Sequence, residues 1–96
     1  MHNQFNDVEF DPRKERANLR KHRVSFTQAE QALYDQLAIT TEDTRIANEQ
    51  RFSTLGADAS GRVLIVIHTP RGTHTRLISA RKASKGEAEQ YYAQRL

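Results

Sequence analysis

Apolar and polar positions in the first quarter of the chain predict a short strand followed by a very polar helix. Residues 8–10 alternate between apolar and polar side chains, as in a brief β-strand. Asp11 and Pro12 then favour a helix start, because the carboxylate can cap free N–H groups and proline fits the first turn. Residues 13–22 lack a continuous apolar face. The polar side of this helix must therefore lie against solvent, a ligand or a partner.

A second helix is predicted to begin at Ser25. Gln28 completes a capping box with Ser25, and Val24 is placed to pack as a hydrophobic staple. Four side chains recur at helical spacing and predict a buried stripe: Phe26, Ala29, Ala32 and Leu33. Beyond this helix we expect a short strand over residues 37–40 and an acidic loop over residues 41–48.

From residue 49 onward the pattern is that of a β-meander. Three strands are expected, separated by turns at residues 58–61 and 70–72, and they cover residues 51–55, 63–67 and 73–80. The middle run contains only Val, Leu and Ile, which is typical of a central strand covered on both faces. Strict alternation in the third strand would place Arg76, Ile78 and Ala80 on one face.

The last helix is predicted to begin at Ser84, with Glu87 as its capping-box partner. It would bury side chains on one face: Ala88, Tyr91 or Tyr92, and Leu96. Together these elements predict a single α+β domain over residues 1–96, with two N-terminal helices, an antiparallel β-sheet and a C-terminal helix.

The amino-acid composition restricts the possible chemistry more than it restricts the fold. The chain has no cysteine, which excludes disulfides, thiolate catalysis and cysteine-based zinc sites. No apolar run approaches the ~20 residues that span a bilayer. The first residues lack the basic-then-apolar pattern of a signal peptide. We therefore expect a small, soluble, cytoplasmic domain that does not associate with a membrane.

The net charge of +3 is unevenly distributed along the chain. Residues 1–23 and 51–96 are basic, whereas residues 24–50 are acidic and contain Arg45 as their only basic side chain. Such a two-signed surface is compatible with polyanion binding by the basic parts, and equally with an ordinary solvated surface.

Lys14, Asn18 and His22 stand four residues apart and share a face of the first helix. A cation, an amide and an imidazole on one stripe could bind a phosphate and move a proton. From spacing alone, a solvated face with a locally bonded Asn18 is favoured.

Arg51, Arg76 and Arg81 form a second group, placed on or beside two predicted strands. Arginine binds phosphate in a bidentate manner and keeps its charge at all physiological pH values, so the three could clamp an RNA or DNA backbone. The alternative is three unrelated surface ion pairs, each of which contributes little.

Further candidates lie on the last helix and among the histidines. Tyr91, beside Arg81, could stack on a base, whereas the alternative is that Glu87 only caps its helix and the tyrosine packs in the core. His68 ends the central strand and is either packed or directed to a site. The four histidines show no metal-ligand spacing, and the scattered glycines form no phosphate loop, so we expect no metal and no cofactor.

Several segments occur in an order that resembles one known family. They are residues 8–12, the Lys14, Asn18 and His22 stripe, residues 24–26, 49–51 and 61–64, and the most specific segment, RLISARKA, at residues 76–83. This order, together with Glu87 and Tyr91, resembles the BrnT family over about residues 8–92.

The resemblance implies a toxin of a type II toxin–antitoxin system with a RelE-like fold. It implies an endoribonuclease that cleaves RNA and thereby inhibits translation. It also implies neutralisation by a BrnA-type ribbon-helix-helix antitoxin, with operator DNA contacted only through the complex that represses the operon. By position, the implied catalytic residues are His22, Arg51, Arg76, Arg81, Glu87 and Tyr91. Lys14 and Ser79 are implied RNA-binding residues, and His68 and Lys82 are further candidates for RNA binding.

The expected mechanism is metal-independent attack of a 2′-OH on the adjacent phosphate. The three arginines would stabilise the developing charge. His22 or Glu87 would accept the proton, and Tyr91 or His68 would assist the leaving oxygen.

The sequence departs from the family pattern at four positions. Arg23 replaces a helix-capping glycine, Gly86 a frequent basic residue, Gln36 a common proline and Phe10 a frequent tryptophan. We expect the cap at Arg23 to be lost or reshaped and phosphate affinity near Gly86 to be weaker. The alternative function is a non-catalytic nucleic-acid-binding or co-repressor module, that is, a degenerate toxin.

Overall fold

The structure, a computed structural model, describes residues 7–94. Its elements follow in the order β1 (Val8–Glu9), α1 (Pro12–His22), α2 (Phe26–Leu33), β2 (Ile39–Asp43), β3 (Arg51–Ala57), β4 (Val63–Arg71), β5 (His74–Lys82) and α3 (Lys85–Ala93). The predicted α+β class is confirmed. Among residues 7–94, no helix is long and apolar enough to cross a membrane. The predicted burial of Leu96 lies outside the described residues.

The strands form one sheet in the order β1-β5-β4-β3-β2. Strands β2 to β5 pair in antiparallel fashion, whereas β1 pairs in parallel with β5. The sheet is therefore mixed rather than wholly antiparallel as predicted. The two helices and three strands between β1 and β5 bring the chain back beside β1 in the same direction, so this pair is parallel.

One face of the sheet, here called the helix face, is covered by α1 and α2. Its core includes the predicted stripe of α2, all four residues of which are buried, together with Leu64, Val66 and Leu77. Gly56 permits the close approach of α2, since a Cβ there would lie 2.4 Å from the carbonyl oxygen of Ala32.

The opposite face, here called the α3 face, is covered only in part. The buried ring of Tyr91 on α3 packs with Leu55, Val63 and Ile65. The charged residues described below lie beside this apolar cluster, in the case of Arg81, and beyond it, in the case of the others.

Strand β2 extends through Asp43, so residues 41–43 belong to a strand and not to the predicted loop. Its pairing with β3 runs from Ile39 opposite Leu55 to Asp43 opposite Arg51. The Thr40 and Thr54 hydroxyls, 2.8 Å apart, add a cross-strand hydrogen bond. Tertiary pairing thus overrides the polar local pattern.

A β-bulge between Ile67 and His68 corrects the predicted faces of β5. Ser79 lies opposite Ile67, but Leu77 lies opposite His68, so one residue of β5 is passed over. Ala80 and Leu77 both pack in the core of the helix face. Arg76 consequently lies on the α3 face and does not share a face with Ala80, as strict alternation had predicted.

Candidate active site

Three rows of side chains on the α3 face carry the candidate residues. Backbone register places Ile39, Leu55, Ile65 and Arg81 in the first row, whose apolar members belong to the Tyr91 cluster. The next row contains Thr41, Ser53, Ile67 and Ser79. The third consists of Asp43, Arg51, Thr69, Arg76 and Glu9. With distance from α3 the strand residues thus change from mainly apolar to mainly hydroxylic to charged, with Arg81 as the charged member of the first row.

The third row brings Arg51 and Arg76 onto opposite sides of β4. The Thr69 hydroxyl donates to the carbonyl of Gln50 at 2.6 Å, which holds β4 beside the start of β3. Neighbouring strands lie about 4.8 Å apart, so the two arginine backbones are separated by roughly 10 Å. Arg81 lies two rows nearer α3 on the same face. We call these three residues the arginine surface.

Each arginine of this surface forms an ion pair with a different carboxylate. Arg51 lies 3.2 Å from Glu49 and Arg76 lies 3.6 Å from Glu9. Arg81 binds Glu87 through two hydrogen bonds, of 2.8 and 3.0 Å. Each arginine therefore forms an ion pair, as the alternative predicted. The three pairs are nevertheless related, because all of them lie on one face of the sheet.

The Nε atoms of Arg51 and Arg76 are buried and have no hydrogen-bond partner among the described residues. Their side chains remain 27% and 35% exposed, so the guanidinium ends reach the surface. Buried donors of this kind destabilise a fold and are often found at functional sites. The observation favours a binding function for this face.

Glu87 links the arginine surface to α3. It is the third residue of that helix and completes the predicted capping box with Ser84. The hydrogen bonds from Arg81, aided by the Ser84 backbone N–H, lower the pKa of Glu87 to about 2. At neutral pH Glu87 is an anion of low basicity that holds Arg81 in place.

Ser79 lies in the middle row, between Arg76 and Arg81 along β5. Lys82 follows Arg81 but registers opposite Leu64, a core residue of the helix face. Its exposed side chain therefore leaves the strand on the side opposite Arg81.

Helix α1 lies along the outer edge of β5. Asn18 is buried and bonds both the N–H and the carbonyl of Ala80. Lys14 is exposed and His22 half-buried, one helical turn on either side. Neither forms a hydrogen bond or ion pair with another residue in the range 7–94. The structure therefore places this stripe at the edge of the sheet, and the hydrogen bonds of Asn18 connect it to the backbone of Ala80 and Val24.

Tyr91 and His68 are both buried. Tyr91 is 1% exposed and its hydroxyl hydrogen-bonds the Asp35 carboxylate, while Tyr92 is 47% exposed. His68 is 3% exposed on the helix face, where Nε2 lies 2.7 Å from the Thr54 hydroxyl. Burial lowers the pKa of His68 to about 4. These positions favour the packed alternatives that the sequence left open.

Arg45 is a residue of this face that sequence reasoning did not assign to the site. Its Nε and Nη2 donate to the two carboxylate oxygens of Asp43 at 2.9 and 2.8 Å. Asp43 ends the charged row, beside Arg51. The one available signal was that Arg45 is the only basic residue in an acidic segment.

The fold is similar to that of a ribonuclease toxin. A crystal structure of the Brucella abortus ribonuclease toxin BrnT matches with a TM-score of 0.61 and 24% sequence identity. The match covers 82% of this chain and 97% of that chain. No curated protein sequence matches the chain significantly.

Residues 10–87 match the model of a family described as ribonuclease toxin, BrnT, of type II toxin–antitoxin system. This span covers most of the chain, including all three arginines of the arginine surface. The chain therefore belongs to the BrnT family of ribonuclease toxins.

Proposed function

We propose that the chain is a RelE-like endoribonuclease that cleaves RNA on its α3 face and thereby inhibits translation. The observation that carries this proposal is the arginine surface, Arg51, Arg76 and Arg81, on the open part of the sheet in a BrnT-family chain. A surface of fixed positive charge suits a phosphate that gains negative charge during cleavage.

Cleavage would proceed by attack of the ribose 2′ oxygen on the adjacent phosphorus. The P–O2′ bond forms as the P–O5′ bond breaks, giving a 2′,3′-cyclic phosphate and a 5′ hydroxyl. The 2′ proton passes to a base, and the leaving 5′ oxygen takes up a proton. This route needs no metal ion, in keeping with the absence of metal-ligand spacing in the sequence.

We propose His22 rather than Glu87 as the proton acceptor. The low pKa of Glu87 makes it a weak base. His22 lies one helical turn, about 5.4 Å along the axis, from Asn18. Asn18 contacts Ala80, the neighbour of Arg81, so the helix that carries His22 packs against the same strand. The burial of Tyr91 and His68 favours structural roles for both.

A BrnA-type ribbon-helix-helix antitoxin is the proposed partner, and the complex would bind operator DNA through the antitoxin. Membership of a type II toxin–antitoxin family supports this partner class. A short ribbon-helix-helix gene beside this one, whose product relieves growth arrest on co-expression, is the expected finding. Unrelieved arrest would contradict the assignment.

The nuclease activity can be tested with purified protein and RNA in EDTA. We expect fragments that carry 2′,3′-cyclic or 3′-phosphate ends. Arg76→Ala and Arg81→Ala should reduce the rate by about 100-fold or more, since each removes charge stabilisation from the phosphate. Arg16→Ala, an exposed position on α1, serves as the charge-matched control. Retention of RNA without cleavage would instead support the non-catalytic binding module.

A further inference from the structure

We propose that Arg45 is an additional substrate-binding residue, which contacts the RNA backbone beside Arg51 and Arg81 and extends the site to β2. The inference rests on the proposed function and adds a residue to it. It would extend the phosphate-binding surface from the arginines of β3 and β5 to β2, at the edge of the sheet.

Asp43 and Arg45 form a tightly oriented pair at the end of β2. Asp43 is the β2 member of the charged row, opposite Arg51, and its side chain is only 8% exposed. Both of its oxygens accept hydrogen bonds from the Arg45 guanidinium, and the Arg45 backbone N–H donates to it at 3.1 Å. The side chain of Arg45 nevertheless stays 79% exposed. The buried Asp43 carboxylate thus fixes the orientation of the Arg45 guanidinium, while the N–H groups that do not bind Asp43 remain accessible to a ligand.

The charges of Arg45, Arg51 and Arg81 also influence one another's surroundings. The hydrogen bonds from Arg45 lower the pKa of Asp43 to about 2, and the positive charge of Arg51 contributes. The bond to Glu87 raises the pKa of Arg81, whereas burial and the positive charge of Arg45 lower it. Because Asp43 holds Arg45 and lies opposite Arg51, the Arg45 guanidinium lies on the same face of the sheet as Arg51 and Arg81.

Like charges held near one another repel, and this region keeps them together with bidentate carboxylate contacts to Asp43 and Glu87. Each guanidinium is more exposed than its carboxylate, at 79% against 8% for Arg45 and Asp43 and 45% against 31% for Arg81 and Glu87, so the positive groups are the more accessible ones. A polyanion that spans several strands satisfies this arrangement better than a single anion. RNA is the polyanion that the proposed activity requires.

The test uses the full-length chain and a single-stranded 2′-O-methyl RNA oligonucleotide, which resists 2′-OH attack. Fluorescence anisotropy between about 50 and 200 mM salt would measure binding. For Arg45→Ala we expect affinity to fall roughly three- to tenfold and the log–log salt slope to become shallower by about 0.7, the loss of one phosphate contact.

Arg13→Ala is a matched control, because Arg13 also pairs with an aspartate two residues away and is 84% exposed, but lies on α1. It should change affinity less than about twofold, as expected of an exposed pair outside the site. Arg45→Ala also uncovers the Asp43 carboxylate. We therefore expect Asp43→Asn to bind RNA at least as well as the unmodified chain, and Asp43→Asn with Arg45→Ala to bind more weakly than Asp43→Asn alone.

The outcomes separate the two proposals. If Arg81→Ala weakens binding but Arg45→Ala does not, Arg45 lies outside the site and only this inference fails. If neither variant weakens binding and the unmodified chain cleaves no RNA, the proposed function fails as well. Loss of antitoxin binding in Arg45→Ala with unchanged RNA binding would reassign the residue to a protein interface.

Discussion

Asn18 binds both backbone polar groups of Ala80, donating from Nδ2 to the carbonyl at 2.8 Å and accepting the N–H at Oδ1 at 3.0 Å. Its Nδ2 also donates to the carbonyl of Val24 at 2.9 Å. A side-chain amide thus pairs with the edge of β5 beyond β1, as a neighbouring strand would. This contact explains how a helix with almost no apolar face is held against the sheet.

Replacing Asn18 with alanine should therefore lower the free energy of unfolding by about 2–3 kcal/mol, since buried backbone groups lose their partners. Urea unfolding measured by circular dichroism would show it. Arg20→Ala, exposed on the same helix, should stay within about 0.5 kcal/mol. An Asn18→Ala protein as stable as that control would contradict the anchoring role.

Arg23 keeps the cap of α1 although glycine is absent. Its backbone adopts the left-handed conformation, with φ of 60°, and its N–H bonds the carbonyl of Leu19. A non-glycine residue in this region is strained, so Arg23→Gly should stabilise the fold by about 1 kcal/mol. Arg23→Ala removes the same charge but keeps the Cβ, and should bring no such gain. Thermal unfolding compares the two.

Tyr91→Phe distinguishes a structural from a catalytic role. Loss of the hydroxyl that bonds Asp35 should reduce stability by about 1–2 kcal/mol. RNA cleavage by the folded protein should change less than about tenfold, whereas loss of a proton donor costs about 100-fold or more. Exposed Tyr92→Phe is the control. A large fall in kcat with intact stability would return Tyr91 to the catalytic residues.

His68 should make stability depend on pH. Burial lowers its pKa from 6.5 to about 4, so the folded state binds its proton less readily than the unfolded state. The free energy of unfolding is therefore highest above pH 6.5, where His68 is neutral in both states. It falls as the pH decreases, by about 2 kcal/mol between pH 6.5 and 4.5. Urea unfolding should show this slope in the unmodified chain and in exposed His74→Gln. A persistent slope in His68→Gln would contradict the assignment.

A substitution at Gly86, which precedes Glu87 on α3, can test whether added positive charge there increases RNA affinity. A Cβ at this position on α3 meets nothing within 4 Å, so a longer side chain is accommodated. Gly86→Lys and Gly86→Gln should both favour the helix, by up to about 1 kcal/mol. Only the lysine should tighten RNA binding, roughly two- to fivefold, because it adds a charge near Arg81 and Glu87. Equal affinities would place Gly86 outside the binding surface.

Much of the local structure was predictable because its causes lie within three or four residues. The caps at Asp11, Ser25 and Ser84 are present, with both predicted capping boxes formed. The buried stripe of α2 followed from helical periodicity. Membership of the BrnT family was also apparent from the ordered segments, whose identity does not depend on knowing the fold.

The face of Arg76 and the setting of Arg45 were decided by tertiary structure. The bulge beside His68 reverses side-chain alternation in β5, and strand parity depends on a partner strand that local sequence does not reveal. Burial likewise separated Tyr91 and His68 from the arginines, although all of them have chemistry suited to RNA cleavage. The sequence by itself determined the helix caps, the class and the family, since these depend on local spacing. Only the folded sheet decided which charged residues share a face, because that depends on register between distant segments.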